Sequence, residues 1–285
     1  MTTLPLDRFG TLSLDELLAQ AELLTRFDRK YVLDRDEAAR LLRRLDPRTR
    51  VLEIDGRSWF HYESVYFDTP DLLSYRQAAH VRRRRFKVRT RSYLDSGLAF
   101  LEVKVRGDRE ITVKDRLPYQ TDARDRLTET GHDYAENTLG QHGLDSSVTD
   151  RLAPTLTTRY TRATLLPPEP GVRVTIDTGL TWQGAGSPVH LLPHSAAARQ
   201  IWQPGLVSGS DCTGGLELPG LVIVETKSGA HPSGVDRLLW RSGHRPASIS
   251  KYGTGLAALR DDLPANKWTR ILRRHFHTEE QACAA

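Results

Sequence analysis

Charged and apolar side chains alternate along several short segments of this 285-residue sequence. The segment 83–93 has basic residues at every second position from 87 to 91, namely Lys87, Arg89 and Arg91. The apolar residues Phe86 and Val88 flank Lys87 in the sequence. Successive side chains of a strand point to opposite faces, so these three basic residues would share one face of a strand. Arginine forks and lysine ammonium groups are the side chains that bind phosphate oxygens. The segment therefore predicts a strand with one face able to hold an anion.

The same alternation recurs on other segments, and a few carboxylates join the basic residues there. The shared faces are Glu102, Lys104 and Arg106; Thr112, Lys114 and Arg116; Arg173, Thr175 and Asp177; Asp28 and Lys30; and Glu225 and Lys227. For any single strand, a solvent-facing surface with salt bridges explains such charges better than an interior site does, because charge on strands usually faces solvent. Their repetition favours one shared interior, where crowded cations need an anion and carboxylates could hold a divalent metal that bridges to it. This combination indicates polyphosphate, triphosphate or nucleotide chemistry.

The charge is unevenly distributed along the chain. The formal net charge is +5, yet residues 82–116 contain twelve basic and five acidic residues, whereas residues 120–150 contain seven acidic and two basic ones. Among 34 arginines there are only seven lysines, and all but Lys267 lie in the strand motifs or in the SKY motif at 250–252. This distribution favours an anionic partner at the first segment.

The elements that must position these residues are eight strands, mostly antiparallel, with helices around them. Strands are predicted at 26–33, 59–68, 83–93, 98–106, 109–117, 155–165, 172–182 and 220–227, and helices at 13–24, 34–45, 195–202, 235–241 and 255–260. The three strands of 83–117 form a meander with short turns. We predict an α+β fold with an eight-stranded antiparallel β-barrel and peripheral helices, so that one face of each strand lines the lumen.

Composition restricts the class of protein further. No apolar run approaches the ~20 residues of a membrane helix, and no secretory signal pattern opens the sequence. Two cysteines, Cys212 and Cys283, are too few for a disulfide framework or a cysteine-based zinc site. We expect a cytoplasmic protein with one domain at 1–263 and a loosely attached C-terminal tail at 264–285.

Nine motifs carry a resemblance to a known family. In order along the chain they are RFDRKYVL (26–33), SVYFDTPDLLSYRQ (64–77), FKVRTRSY (86–93), FLEVKVRG (100–107), VKDR (113–116), RYTR (159–162), RVTIDTGL (173–180), VIVETKSG (222–229) and ISKYGTG (249–255). Together they resemble the VTC-type polyphosphate polymerase domain of the triphosphate tunnel metalloenzyme (CYTH-like) superfamily. Each motif is weak alone, and their shared order gives the resemblance its strength.

The resemblance implies an eight-stranded antiparallel tunnel whose basic lining holds a triphosphate and whose glutamate helps to hold Mn²⁺ or Mg²⁺. It implies catalytic roles for Lys30, Arg89, Arg91 and Glu225. It implies substrate binding by Lys104, Lys114, Tyr160, Arg162, Arg173, Lys227 and Lys251. Glu225 and Asp28 would be the metal ligands, with Glu102 and Arg159 as additional lining residues.

The function implied by the resemblance is metal-dependent transfer of the γ-phosphate of ATP to phosphate or to a growing polyphosphate chain. The wider superfamily begins with an ExExK motif, which here becomes Arg26, Asp28 and Lys30 and so favours the polymerase branch over the hydrolase branch. A triphosphate hydrolase and a non-catalytic polyanion-binding module, acting through the basic run at 82–91, are the alternatives. ATP and polyphosphate are the expected partners and nucleic acid is not. A membrane anchor, which eukaryotic members of the family have, would have to come from another protein.

Overall fold

The computed structural model describes residues 3–20, 27–106, 112–185 and 215–276. The strands are β1 (Gly10–Leu12), β2 (Phe27–Asp34), β3 (Arg50–Leu52), β4 (Phe60–Asp68), β5 (Arg85–Tyr93), β6 (Leu98–Arg106), β7 (Thr112–Tyr119), β8 (Ala153–Leu166), β9 (Arg173–Gly184), β10 (Gly215–Leu218) and β11 (Leu221–Ser228). The α-helices are α1 (Leu14–Gln20), α2 (Arg35–Arg44), α3 (Leu73–Ala79), α4 (Glu129–Gln141), α5 (Gly234–Arg241), α6 (Lys251–Leu259) and α7 (Thr269–His275). The predicted helix at 195–202 and Arg26 lie outside the described residues.

One large sheet organises the protein. Its main path runs in the order β2-β11-β9-β8-β4-β5-β6-β7, and every neighbouring pair along it is antiparallel. β1, β3 and β10 extend the sheet off this path. The predicted α+β class, the eight principal strands and the β5-β6-β7 meander are confirmed. Helices α3, α4 and α7 were not predicted from the sequence.

The predicted closure of the sheet into a barrel is wrong. β2 and β7 stand at the two ends of the path and do not pair with each other within the described part of the chain. On β2 the carbonyl oxygen of Lys30 accepts a hydrogen bond from the backbone N–H of Ala247 at 2.7 Å, so a loop occupies that edge. β7 carries Pro118, which cannot donate to a ladder, and charged residues that disfavour edge pairing.

The open sheet is nevertheless curved. Ser250, at the start of α6, accepts a hydrogen bond from Lys87 of β5 at 2.7 Å, and the next residue, Lys251, donates to Asp177 of β9. Because one short segment contacts both halves of the sheet on the same face, that face is concave. The architecture is therefore an open cleft instead of a closed tunnel.

Apolar residues of the sheet pack against helices on its convex side. α2 and α5 cover β2, β9 and β11, with Leu42 and Leu239 fully buried beside Val224. α4 covers β5 and β6, where Leu139 packs with Val103. Each of these strands thus buries its apolar face outward, which leaves its charged face for the concave side.

Helix α6 packs across one end of the concave face and joins the second core there. Tyr252 and Leu256 of α6 are buried with Trp182 of β9. The tail expected to be loosely attached also contributes, because Trp268 is 1% exposed and Phe276 is 8% exposed in this core. The expectation of loose attachment is therefore wrong up to Phe276. Within the described residues, no helix has the length and apolarity needed to cross a membrane.

Gly255 is predicted to be essential for the packing of α6. A Cβ atom at this position would lie 2.1 Å from Cδ1 of Trp182, whose buried indole donates a hydrogen bond to the carbonyl of Lys251 at 2.8 Å. Gly255→Ala should lower the free energy of unfolding by about 1–3 kcal/mol. Gly220→Ala is the control, since a Cβ there would contact nothing within 4 Å. Thermal denaturation of both variants is the measurement, and equal melting temperatures would contradict this packing.

Candidate functional site

The concave face of the main sheet path, together with the first turn of α6, forms what we call the cationic cleft. The described strands and α6 bring together on it the residues predicted as site residues: Asp28, Lys30, Arg89, Arg91, Lys104, Lys114, Tyr160, Arg162, Arg173, Glu225, Lys227 and Lys251. Three carboxylates organise most of these basic groups; Glu102 and Asp177 are buried, and Glu225 is partly buried. Each carboxylate lies on a different strand and contacts at least two cations.

Glu225 on β11 is the first of these carboxylates. It lies opposite Lys30 of β2 in the strand register, and its Oε1 lies 3.3 Å from the Nζ of Lys30. Lys227 also donates to Glu225, and its Nζ lies 3.8 Å from Asp28. Burial acts to raise the pKa of Glu225, but the two ammonium groups outweigh it and hold that pKa well below its ordinary value. Glu225 is therefore an anion at neutral pH, held between two lysines.

Glu102 on β6 is the second and is only 3% exposed. Its Oε2 accepts from Arg89 Nη2 at 2.6 Å and Nε at 2.8 Å, and its Oε1 lies 2.6 Å from Lys114 Nζ and 3.7 Å from Arg91 Nη1. Arg89 also donates to the hydroxyl of Tyr66 at 2.9 Å. Burial opposes ionisation of Glu102, yet the surrounding cations keep its pKa well below the ordinary value. Glu102 fixes the orientation of the basic groups around it.

Asp177 on β9, which was not predicted as a site residue, is the third. Arg162 of β8 holds it with two bonds, Nε to Oδ1 at 2.6 Å and Nη2 to Oδ2 at 2.8 Å. Lys251 of α6 also donates to Asp177, and its Nζ lies 4.2 Å from the ring centroid of Tyr160. Burial opposes ionisation of Asp177, but Arg162 and Lys251 lower its pKa to about 2. The SKY motif is thereby attached to the sheet.

Lys87, Lys104 and Lys114 form a row of three lysines across β5, β6 and β7. Lys87 is paired with Lys104 and Lys104 with Lys114 in the strand register. Like charges directly opposite each other destabilise a sheet, so this row favours a bound anion. Lys87 donates to Ser250 Oγ at 2.7 Å, while burial and, next, Lys104 lower its pKa to about 7. The sequence placed Lys87 on the same face as Arg89 but did not assign it to the site.

Two buried polar groups of cleft residues have no hydrogen-bond partner within the described residues and could donate to an anion. They are Tyr160 OH and Arg91 Nε. An unpaired buried polar group costs free energy, and the oxygens of an anion would accept from both. Arg159, suggested as an additional lining residue, does not belong here. It pairs with Glu63 at 2.7 Å on the opposite face of the sheet, so its expected role in the cleft is wrong.

The residues present fit a divalent metal bound together with phosphate. Mg²⁺ and Mn²⁺ prefer oxygen ligands, and Mg²⁺ usually takes one or two carboxylates and completes its shell with water and substrate phosphates. Glu225 and Asp28 lie on neighbouring strands and both contact Lys227, so they offer such a pair. A separate group on α4, formed by His132, Asp133 and Glu136, has ligand atoms within 4.8 Å of one another. That helix covers the convex side of the sheet, away from the cationic cleft.

Lys87 predicts a pH dependence of stability and of anion binding. Its pKa of about 7 in the folded chain lies below the unfolded value of about 10.4, so the unfolded chain binds more protons between these two values. The free energy of unfolding of the ligand-free protein should therefore rise with pH from about 7 to 10. An anion beside Lys87 raises its pKa, so triphosphate binding should take up a proton and weaken as the pH rises above about 7.

Calorimetric titration in two buffers of different ionisation enthalpy measures this proton uptake. Lys87→Met should show less uptake and a flatter pH profile of triphosphate affinity than the unchanged protein. An identical uptake in both proteins would contradict the assignment of this titration to Lys87.

The fold and the cleft together define a class: an α+β protein whose curved antiparallel sheet presents a cation-lined concave face. A model of the VTC domain matches residues 25–260, and the chain therefore belongs to the VTC domain family. No curated protein matches the sequence.

Several solved structures resemble the chain at low identity. A putative adenylyl cyclase from Hippeastrum, described as having a dominant triphosphatase activity, is 14% identical over 85% of this chain and 100% of its own, with a TM-score of 0.47. A putative adenylate cyclase from Bacillus halodurans is 11% identical over 90% of this chain and 96% of its own, with a TM-score of 0.38. A conserved hypothetical protein from Pyrococcus furiosus is 11% identical over 77% of this chain and 88% of its own, with a TM-score of 0.34.

Proposed function

We propose that this protein is a metal-dependent phosphotransferase that moves the γ-phosphate of ATP to phosphate or to a growing polyphosphate chain. One observation carries the proposal, which is the excess of cations in the cleft. The nine basic residues assigned from the sequence and Lys87 face four carboxylates, Asp28, Glu102, Asp177 and Glu225, each of which already contacts a cation. The remaining positive charge suits a chain of phosphates.

Phosphoryl transfer needs positioning and charge stabilisation more than covalent chemistry from the protein. Arg89, Arg91 and Arg162 offer planar forks that bind phosphate oxygens in pairs, and their orientation is held by Glu102 and Asp177. Lysines supply point charges that can follow a moving phosphoryl group. A phosphate acceptor is itself an anion at neutral pH, so no general base is required.

Glu225 and Asp28 would hold the metal. A divalent metal held there would supply positive charge that stabilises the departing diphosphate. The protein side chains have complementary roles. Lys30 and Lys227 keep Glu225 ionised, and because its side chain is only 12% exposed, its interaction with cations is stronger than in water. The residues named as catalytic, substrate-binding and metal-binding from the sequence are proposed in these roles.

The products formed from ATP and Mn²⁺ test the proposal. A gel that resolves long phosphate chains, run beside an assay for free phosphate, separates transfer from hydrolysis. Chains that lengthen with time are expected, and Arg89→Ala, which removes a fork of the cleft, should suppress them. Free phosphate as the sole product would instead make the protein a triphosphate hydrolase. Binding without any turnover would make it a polyanion-binding module.

A further inference from the structure

One end of the cleft wall formed by β4, β5 and β6 is aromatic instead of charged. We call it the aromatic end and define it by Tyr62, Tyr93, Leu98 and Phe100. The ring centroids of Tyr62 and Tyr93 are 4.9 Å apart, and those of Tyr93 and Phe100 are 5.9 Å apart at an interplanar angle of 84°. The three rings are partly exposed, and Leu98 is 56% exposed. Contiguous exposed apolar surface of this kind marks an interaction site, and here it would suit a ligand that has an apolar face.

The aromatic end is continuous with the cationic cleft. The guanidinium carbon of Arg91 lies 5.9 Å from the ring centroid of Tyr62, and that of Arg116 lies 5.0 Å from the ring centroid of Phe100. These contacts show that the rings lie on the concave face with the basic groups. Along β5 the inward residues follow in the order Tyr93, Arg91, Arg89 and Lys87. Tyr93 and Lys87 are six positions apart, which corresponds to about 20 Å of extended strand.

We propose that the aromatic end is the nucleobase subsite of the cleft and sets the direction in which a nucleoside triphosphate binds. The base would lie against Tyr93 and Phe100, and the phosphates would extend past Arg91 and Arg89 to the lysine row. The proposal rests on the proposed function, because it takes a nucleotide as the phosphoryl donor. Along β5 an aromatic ring is followed by two guanidinium groups and then by an ammonium group. A nucleoside triphosphate has its base, its inner phosphates and its terminal phosphate in the matching order.

This subsite would bind a nucleobase with little specificity for which base it is. Stacking on an aromatic ring tolerates every base, because each base has a π-face. We therefore expect the protein to bind nucleoside triphosphates more tightly than inorganic triphosphate, with small differences between adenine and guanine. The phosphate groups would supply the larger part of the affinity through the basic residues.

Binding of ATP and of inorganic triphosphate to the full chain tests the subsite. Tyr93→Leu and Phe100→Leu keep apolar bulk and remove the aromatic face. Each should weaken ATP binding about 10-fold, within the range that stacking gives per base, and leave triphosphate binding within about twofold. Lys87→Ala is the matched control and should weaken both ligands, since both carry phosphates. Phe100→Tyr, which keeps a ring, should bind ATP like the unchanged protein.

Equal losses for both ligands, or no loss for ATP in folded variants, would overturn the subsite. In that second case the exposed leucine and rings would serve a protein partner instead. Turnover distinguishes this outcome from failure of the proposed function. ATP that binds selectively through Tyr93 but is never converted leaves the subsite standing and removes the phosphotransferase. A chain that binds neither ligand removes both.

Discussion

Replacing Glu225 by Gln is expected to lower the rate constant for turnover of ATP by about 100-fold or more while leaving triphosphate binding in place. Gln keeps the size of the side chain but removes the charge that would hold a divalent metal. Loss of one electrostatic contact to the reacting groups commonly costs about 10² to 10³ in rate. Lys30 and Lys227 lose their shared counter-ion at the same time, which leaves them free to bind phosphate.

The separation of rate from affinity is what distinguishes this role from a structural one. Steady-state kinetics at several Mn²⁺ concentrations and calorimetric titration with triphosphate in the absence of metal provide the two readouts. Turnover within 10-fold of the unchanged protein would show that Glu225 does not hold the metal. Weaker metal-free binding of triphosphate would show that the carboxylate organises the lysines instead.

Glu63→Gln is a closely matched control. The Glu63 side chain is 7% exposed, against 12% for Glu225, and it also holds two cations, Arg124 at 2.8 Å and Arg159 at 2.7 Å, but it lies on the opposite face of the sheet. Removing its charge weakens two buried ion pairs, so a lower melting temperature is expected. Turnover at a temperature where the protein remains folded should not change. Comparing the two variants thus separates the loss of stability caused by removing a carboxylate with two cationic partners from the loss of turnover caused by removing a carboxylate of the cleft.

The sequence was sufficient to predict the eight principal strands and, for most of their charged residues, the face that the side chain occupies. Period-two alternation is a local property, and Lys87, Arg89 and Arg91 fell on one face because a strand allows no other arrangement. Helix α4 was missed because its sequence is polar and interrupted by Gly131 and Gly140, so its apolar periodicity is weak. Local sequence patterns therefore predicted secondary structure correctly where apolar and polar residues alternated clearly.

Closure of the sheet could not be predicted, because it depends on contacts between residues far apart in sequence. Counting eight strands suggested a barrel, but the bond from Ala247 to the carbonyl of Lys30 joins segments over 200 residues apart. Asp177 was missed for the same reason, since its partner Lys251 is 74 residues away. The alternation had already placed Asp177 on the charged face, so the missing information was which cation it meets.

The carboxylates of the cleft have a common role that follows from these contacts. In a site lined by cations alone, mutual repulsion would destabilise the fold. A site with as many carboxylates as cations would have no net charge to attract an anion. Glu102 and Asp177 are more completely buried than the cations around them. They neutralise part of the repulsion, and the excess of cations over carboxylates remains available to attract an anionic ligand.

Replacing Lys104 by Met should make the ligand-free protein more stable and make triphosphate binding weaker. Lys104 stands between Lys87 and Lys114 in the strand register, and within the described residues it has no ion pair with a carboxylate inside 4 Å. Removal of repulsion from a like-charged cross-strand pair is worth about 0.2–1 kcal/mol, which corresponds to a few degrees in melting temperature at most. Met retains the apolar length of the side chain.

The same change should lower the affinity for triphosphate by about 10- to 100-fold, because a hydrogen bond to a charged group contributes about 1.5–3 kcal/mol. Thermal denaturation with and without triphosphate measures both effects in one experiment. Without triphosphate, the variant should have a higher melting temperature than the unchanged protein. At a triphosphate concentration that saturates the unchanged protein, the variant should have the lower melting temperature. A variant with a lower melting temperature in both conditions would show that Lys104 stabilises the sheet. A higher melting temperature without triphosphate and a lower one with it would show that the lysine row binds an anion at the expense of stability.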